Sequence, residues 1–181
     1  GILTEVNGRK YVGEWSKDLR NGDGSQTYSN GDIYKGEWIG NKKHGTGIMD
    51  YANGDRYDGK WDSGKRNGMG IYKYSNGDVF SGNWNNGRRS GKGKMNFANG
   101  EYYDGNWKAN RIQGLGVFNY SDGSVYDGEW LNGKKHGRGS FETATNEKYL
   151  GEWLNDMKNG EGTYNYNDGS KYKGKWKNNK R

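Results

Sequence analysis

The chain of 181 residues contains no cysteine and no proline. Without cysteine there can be no disulfide framework, no thiolate zinc site and no thiol chemistry. Large apolar residues are scarce as well: leucine, isoleucine, valine and phenylalanine together number 21, about one residue in nine. That is below the ~20% under which a charged chain is ordinarily disordered, and it excludes a two-layer core of aliphatic side chains. No apolar run reaches the ~18 residues of a membrane-spanning helix, and the sequence shows no signal-peptide pattern. What is plentiful is glycine, with 34 residues, tyrosine with 15 and tryptophan with 8. The 29 basic and 22 acidic residues leave a net charge of +7, a bias toward anionic partners. Absent cysteine fits a reducing compartment, so the expected location is cytoplasmic.

A fixed period overrules the disorder expectation. The string aromatic-x-Gly-x-Trp occurs eight times, from Tyr11-Gly13-Trp15 to Tyr172-Gly174-Trp176, always 23 residues apart. Every tryptophan is used. Between the strings stands Gly-x-Gly, seven times from Gly22/Gly24 to Gly160/Gly162, followed by an aromatic at a fixed offset: Tyr28, Tyr51, Tyr74, Phe97, Tyr120 and Tyr166, with Thr143 the exception. Such a register means one shape per 23 residues. Within the unit the period is two. Tyr34, Gly36 and Trp38 alternate with Lys35 and Glu37, and Gly45, Gly47, Met49 and Tyr51 alternate with Thr46, Ile48 and Asp50. This is the pattern of strands with one lined and one wet face, so each unit reads as a hairpin. Helix is disfavoured by the glycine load, at roughly 1 kcal/mol per glycine.

Residues paired across antiparallel strands share a face, which tests the turns. A two-residue loop at Asn53-Gly54 would set Tyr51 opposite Arg56, lined against wet. A three-residue loop, Ala52-Asn53-Gly54, pairs Met49 with Tyr57 and agrees. The spacing therefore predicts a type I turn with Gly54 left-handed as a bulge, and likewise Gly31, Gly77, Gly100, Gly123 and Gly169, with Asn146 standing in for glycine in the sixth unit. The other connection, such as Ile39 to His44, reads as a six-residue loop. The expected fold is all-β: an elongated, single-layer antiparallel meander of about 16 strands forming a rod or groove, one repeat array over residues 1–181. One unit has too few rings to fold alone, so stability is shared between neighbours.

The unit Tyr126-Asp127-Gly128-Glu129-Trp130-Leu131-Asn132-Gly133-Lys134-Lys135-His136-Gly137-Arg138-Gly139 resembles the MORN (membrane occupation and recognition nexus) repeat. The resemblance spans essentially the whole chain and departs from the pattern only at Thr143 and Asn146. It implies a single-layer antiparallel sheet and non-enzymatic roles: recognition of protein partners, and association with membranes and phosphoinositides. Arrays of this family occur in junctophilins, plant phosphoinositide kinases, histone-lysine methyltransferases, axonemal spoke proteins and parasite cytoskeletal collars.

Catalysis finds little support in the residues. A nucleotide loop is a single Gly-rich turn opening a helix, whereas seven Gly-x-Gly pairs lie here within strands. His44 and His136 occupy equivalent loop positions without a recurring acid. No catalytic residues, cofactor or metal ligands are expected. Two surfaces are candidates for binding. The aromatic face, represented by Trp38, Trp61, Trp84, Trp107, Trp130, Tyr51, Tyr74 and Tyr120, would take a protein partner as an extended peptide or helix, because a one-layer sheet leaves rings uncovered. The basic rim, Lys42, Lys43, Lys65, Arg66, Arg88, Arg89, Arg111, Lys134 and Lys135, forms columns ~10 Å apart per hairpin and would suit an anionic phospholipid or an acidic peptide. Its opposite edge carries Asp32, Asp55, Asp78, Glu101 and Glu147. An apolar cluster, Ile33, Ile48, Ile71, Val79, Tyr102, Leu115, Val117 and Val125, marks the wet face. Duplex nucleic acid is not expected, since no element is shaped for a groove. The sequence reads as a protein-binding scaffold, cytoskeletal or cortical; the alternatives are a peripheral membrane or phosphoinositide-binding module and a targeting or regulatory segment of a larger enzyme. Gly1–Gly8 align with Gly47–Gly54, so the chain reads as a piece of a longer array, with self-association expected at its sheet ends.

Overall fold

The computed structural model describes residues 1–181 and contains sixteen β-strands and no helix. The chain divides into two compact units, residues 1–89 and 90–181, each described here by itself. In the first unit the strands are β1 (Ile2–Thr4), β2 (Lys10–Ser16), β3 (Leu19–Thr27), β4 (Ile33–Ile39), β5 (Lys42–Asp50), β6 (Arg56–Asp62), β7 (Lys65–Lys73) and β8 (Val79–Asn85). Each pairs antiparallel with the next. The second unit repeats the plan with β9 (Arg88–Asn96, its first residues at the unit boundary), β10 (Tyr102–Lys108), β11 (Arg111–Asn119), β12 (Val125–Leu131), β13 (Lys134–Glu142), β14 (Lys148–Leu154), β15 (Met157–Asn165) and β16 (Lys171–Trp176). The fold is therefore all-β, an antiparallel meander of hairpins.

The three-residue hairpins form as the face parity requires. Met49 pairs with Tyr57 and Asp50 with Arg56, and the Gly54 N–H donates to the Tyr51 carbonyl at 3.0 Å. Gly54 has φ +90°, and Asn146 takes the same place at +65°. Gly54→Ala is expected to cost about 1–2 kcal/mol, the penalty of a left-handed L-residue, and Gly54→Asn less than half of that. Urea unfolding midpoints check this; equal losses for both variants would remove the backbone explanation.

The six-residue connection is not observed. Ile39 pairs with Lys42 and Trp38 with Lys43, which leaves Gly40-Asn41 as a two-residue turn with φ +53° and +68°. Both central residues are left-handed, the geometry that matches strand twist. The residues assigned to the loop belong instead to the strand and to a break in its register. Between Gly36–Gly47 and Trp38–Lys43 the ladder slips, so that His44, Gly45 and Thr46 face Glu37 alone. Gly45 has φ +58°, and the Glu37 carboxylate accepts hydrogen bonds from the Thr46 N–H at 2.6 Å and hydroxyl at 2.5 Å. Glu129 caps the equivalent break through the Arg138 N–H at 2.8 Å.

The core is a column of rings in each unit. Tyr34 is 0% exposed and packs edge-on between Trp38 and Trp61, at 5.1 and 5.3 Å. Tyr57 does the same between Trp61 and Trp84; in the second unit Tyr126 lies between Trp130 and Trp153. The second glycine of each Gly-x-Gly pair makes room for these rings, as a Cβ on Gly47 would fall on the Tyr34 ring, whereas one on Gly45 would meet the Glu37 carboxylate. The indoles from Trp38 onward then fasten one hairpin to the one before it: Trp61 Nε1 donates to the Gly47 carbonyl at 2.9 Å and Trp130 Nε1 to that of Gly116 at 2.9 Å. Gln26 stands where later repeats place Met49 or Tyr72. Although buried, it is satisfied, accepting from Arg20 Nη1 at 2.7 Å and donating to the Thr27 carbonyl at 2.7 Å.

Candidate binding groove

The register break bends the ladder until its two turn ends approach each other over the rings. Lys43 stands at the tight-turn end of β5 and Tyr28 at the three-residue turn after β3. Nevertheless the Lys43 Nζ lies 5.8 Å from the Tyr28 ring centroid, 5.5 Å from that of Tyr34 and 4.3 Å from that of Trp61. Arg66, one repeat on, stacks over Trp84 at 4.3 Å and Tyr72 at 4.9 Å, and its Nη2 donates to the Gly87 carbonyl at 3.0 Å. Arg89 lies over Phe80 at 5.6 Å. A cleft of about 640 Å³ opens in this unit, lined by Tyr28, Asp32, Lys43, Tyr51, Trp61 and Arg66 among others. In the second unit Lys135 sits over Phe141 at 4.7 Å and Trp153 at 4.9 Å, and Lys158 over Tyr164 at 4.2 Å.

The basic rim of the sequence reading thus separates into two sets. Lys43, Arg66, Arg89 and Lys135 are half-buried strand residues on the aromatic face, whereas Lys42, Lys65, Arg88, Arg111 and Lys134 are exposed beside the tight turns. As loop residues both sets would share one outer edge. They part because neighbours along a strand point to opposite faces. The aromatic face is divided too. Trp38, Trp61, Trp84, Trp107 and Trp130 are buried in the core, 2–6% exposed; Tyr51, Tyr74 and Tyr120 are half-buried and line the groove side. Tyr28 belongs with them, and the same fixed offset in the repeat points to it.

Burial holds the Lys43 ammonium down to about 8, with Asp32 working against the shift and Arg66 with it. No hydrogen bond or ion pair within the fold holds this amine. Burial also lowers Lys135, Lys158 and Arg89 and raises Tyr34 and Tyr57. Because the folded Lys43 value is below the unfolded one, the unfolded chain binds the extra proton between them. Its contribution to stability therefore improves as pH rises from about 8 toward 10.5. A carbon-detected NMR titration of the Lys43 Cε is expected to give a midpoint of about 8; an ordinary lysine midpoint, ~10.4, would put the amine in water, away from the rings.

The acidic edge is engaged internally. Asp32 Oδ1 accepts from the Ala52 N–H at 2.9 Å, Asp55 from the Ser75 N–H at 2.8 Å and the Tyr72 hydroxyl at 2.7 Å, and Glu147 from the Tyr164 hydroxyl at 2.7 Å. These carboxylates tie each hairpin turn to the next repeat. His44 Nδ1 is 3.6 Å from Asp62 Oδ1, while the buried His136 Nδ1 has no partner. On the opposite face Ile71 is exposed in the first unit and Leu115 in the second; Ile33, Ile48, Val79, Tyr102, Val117 and Val125 are half-buried.

A family model described as MORN repeat matches residues 11–33, 34–56, 57–79, 80–102, 103–125, 126–147, 149–171 and 172–181. No protein of curated function matches the chain. Among solved structures the chain is similar to the SAS-4 (dCPAP) TCP domain of Drosophila melanogaster, in complex with a proline rich motif of dSTIL. That likeness is 15% identical, covers 96% of this chain and 88% of that one, and has a TM-score of 0.51. A mutant TCP10 domain of Danio rerio CPAP is similar at 13% identity, with coverage of 97% and 82% and a TM-score of 0.53. The G-box domain of the microcephaly protein CPAP, for which a role in centriole elongation is suggested, is similar at 14% identity, 98% and 99% coverage and a TM-score of 0.50. At these identities the likeness is one of fold.

Proposed function

The chain belongs to the MORN-repeat family, and from that premise we propose that it is a non-enzymatic scaffold that docks an extended segment of a protein partner along its groove of rings and cations. The observation that carries this reading is Lys43. A half-buried ammonium without a hydrogen-bond partner, roofed by Tyr28 and Trp61, is a site that a partner's acceptor completes. The half-buried Tyr51 of the same cleft offers flat apolar contact with a polar edge, the surface enriched at protein interfaces. The Drosophila TCP domain, alike in fold, is in complex with a peptide motif, which supports the same use of a β-meander here. A cytoskeletal setting is proposed on the same footing, from the suggested centriolar role of the CPAP G-box domain.

The test is site-directed photo-cross-linking in extract of the source cell, with the probe placed at Tyr28, Tyr51 or Lys42. Cross-links from Tyr28 and Tyr51 to one short segment of one protein, lost in the double variant Lys43→Glu/Arg66→Glu, are the expected result. Cross-links confined to Lys42 would move the site out of the groove. The second reading, a peripheral membrane or phosphoinositide-binding module, draws on the exposed Lys42, Lys65, Arg88, Arg111 and Lys134, each near a charged surface adding about 1 kcal/mol. Charge reversal at Lys42, Lys65 and Arg88 is expected to abolish sedimentation with phosphoinositide vesicles; unchanged sedimentation would exclude that rim.

A further inference from the structure

We propose that the groove of the first unit takes an acidic, proline-rich segment in the polyproline II conformation, laid across the strands with one three-residue turn per repeat, its carboxylates on Lys43 and Arg66 and its prolines on Tyr28, Tyr51 and Tyr74. The inference rests on the scaffold reading and names the chemistry of the segment.

The first argument is one of pitch. Neighbouring strands lie ~4.8 Å apart, so equivalent side chains of successive two-stranded repeats recur every ~9.6 Å. Polyproline II has three residues per turn and rises 3.1 Å per residue, so a residue facing the same way recurs every ~9.3 Å. A β-strand covers a similar distance in three residues, at ~3.3 Å each, but its side chains alternate, and every second contact would point away. An α-helix rises ~1.5 Å per residue and would need a non-integral 6.4 residues per repeat. Polyproline II is the regular conformation that presents one equivalent residue to each repeat.

The second argument is one of chemistry. Polyproline II segments dock on aromatic-lined grooves because the conformation is preformed and little entropy is lost. Tyr28, Tyr51 and Tyr74 recur at a step of 23 residues and are all half-buried. Between them recur Lys43, which has no hydrogen bond, and Arg66, which has five donors and places Nη2 on the Gly87 carbonyl. Neither Asp32 nor Asp55 forms an ion pair with Lys43 or Arg66: Asp32 takes the Ala52 N–H, and Asp55 the Ser75 N–H and the Tyr72 hydroxyl, so the two cations keep a carboxylate's place open. Residues 1–181 contain no proline, so the segment lies outside them.

The test uses the whole chain and two fluorescein-labelled peptides of one composition. In one, Pro-Pro-Glu is repeated five times; in the other the same residues are reordered so that no three-residue period survives. Fluorescence anisotropy is expected to show the periodic peptide binding about tenfold more tightly. Lys43→Met/Arg66→Met, which keeps the apolar stems, and Tyr51→Ala are each expected to remove that advantage while circular dichroism shows an intact fold. Calorimetry near pH ~8, in two buffers of different ionisation enthalpy, is expected to show proton uptake on binding that is lost in Lys43→Arg, because a carboxylate beside Lys43 raises its proton affinity. Equal binding of both peptides, still dependent on Tyr51, would overturn the three-residue register and leave the peptide-docking reading standing. Binding of neither would overturn the inference, and the cross-linking from Tyr28 and Tyr51 would then decide the scaffold reading separately.

Discussion

Gly47→Ala is expected to destabilise the chain by about 3 kcal/mol, the upper part of the range for overpacking a core. The added methyl has nowhere to go. A Cβ there falls on the hydroxyl end of the Tyr34 ring, and Tyr34 is gripped edge-on by Trp38 and Trp61, while its hydroxyl donates to the Glu37 carbonyl at 3.1 Å. Moving the ring opens two indole contacts and a hydrogen bond together. Gly40→Ala is the control. Unlike Gly47, Gly40 is left-handed, at φ +53°, but a Cβ there meets nothing within 4 Å, and Ala109 already occupies the equivalent turn position at φ 48°. Its loss is expected to stay near ~1 kcal/mol. Urea unfolding followed by tryptophan fluorescence separates the two; equal midpoints would mean that the glycine serves the backbone rather than the ring.

Trp61→Ala should cost more, about 4 kcal/mol, as large-to-small changes at buried aromatic positions do. The indole is 5% exposed. It contacts Tyr34 and Tyr57, carries Lys43 on its face and donates to the Gly47 carbonyl. Trp61→Phe keeps much of the area and loses the donor, so it should cost about 2 kcal/mol, within the penalty for stranding a buried acceptor. Trp15→Ala tests the reasoning from the other side. Trp15 is 36% exposed, and its loss should be less than half that of Trp61. Calorimetric unfolding measures all three. A Trp15 variant as damaged as Trp61→Ala would show that the indole contributes mainly within its own hairpin.

Much of this architecture could be read from the residues because one face is lined and the other wet. Parity alone placed Gly54 in its turn, since a loop one residue shorter would set Tyr51 against Arg56. The Gly-x-Gly pairs read as structural from their sevenfold recurrence within strands: the second glycine, such as Gly47, lies where a ring needs room, and the first, such as Gly45, is left-handed at the register break. The tight turn escaped for a physical reason. Around Gly45 three residues stand against the single Glu37, so pairing cannot be extended through the break by counting from Gly47–Gly36, and the residues beyond it looked unpaired. The dipeptides Ser63-Gly64 and Asn86-Gly87 were the available signal, since short polar residues before glycine favour two-residue hairpin turns. The groove was half legible. Its rings and cations were picked out by their period, but which of Lys42 and Lys43 turns inward depends on the bend at Gly45, and the bend depends on a carboxylate cap that a linear pattern does not display.

The indole-to-carbonyl bond has a direction, and that direction bears on how the molecule is made. In every case where it forms, the donor lies 14 residues after the acceptor, as in Trp38 to Gly24 and Trp153 to Gly139. The carbonyl that completes a hairpin has therefore always left the ribosome before the tryptophan that needs it. Trp15, on the strand that follows the three-residue β1, is correspondingly the most exposed of the eight. A nascent chain built this way never waits for downstream sequence to satisfy its newest indole. Each hairpin emerges onto a finished template, and contacts form between sequence neighbours, the low-contact-order regime in which folding is fast. Synthesis and assembly can then advance at the same pace, one repeat at a time.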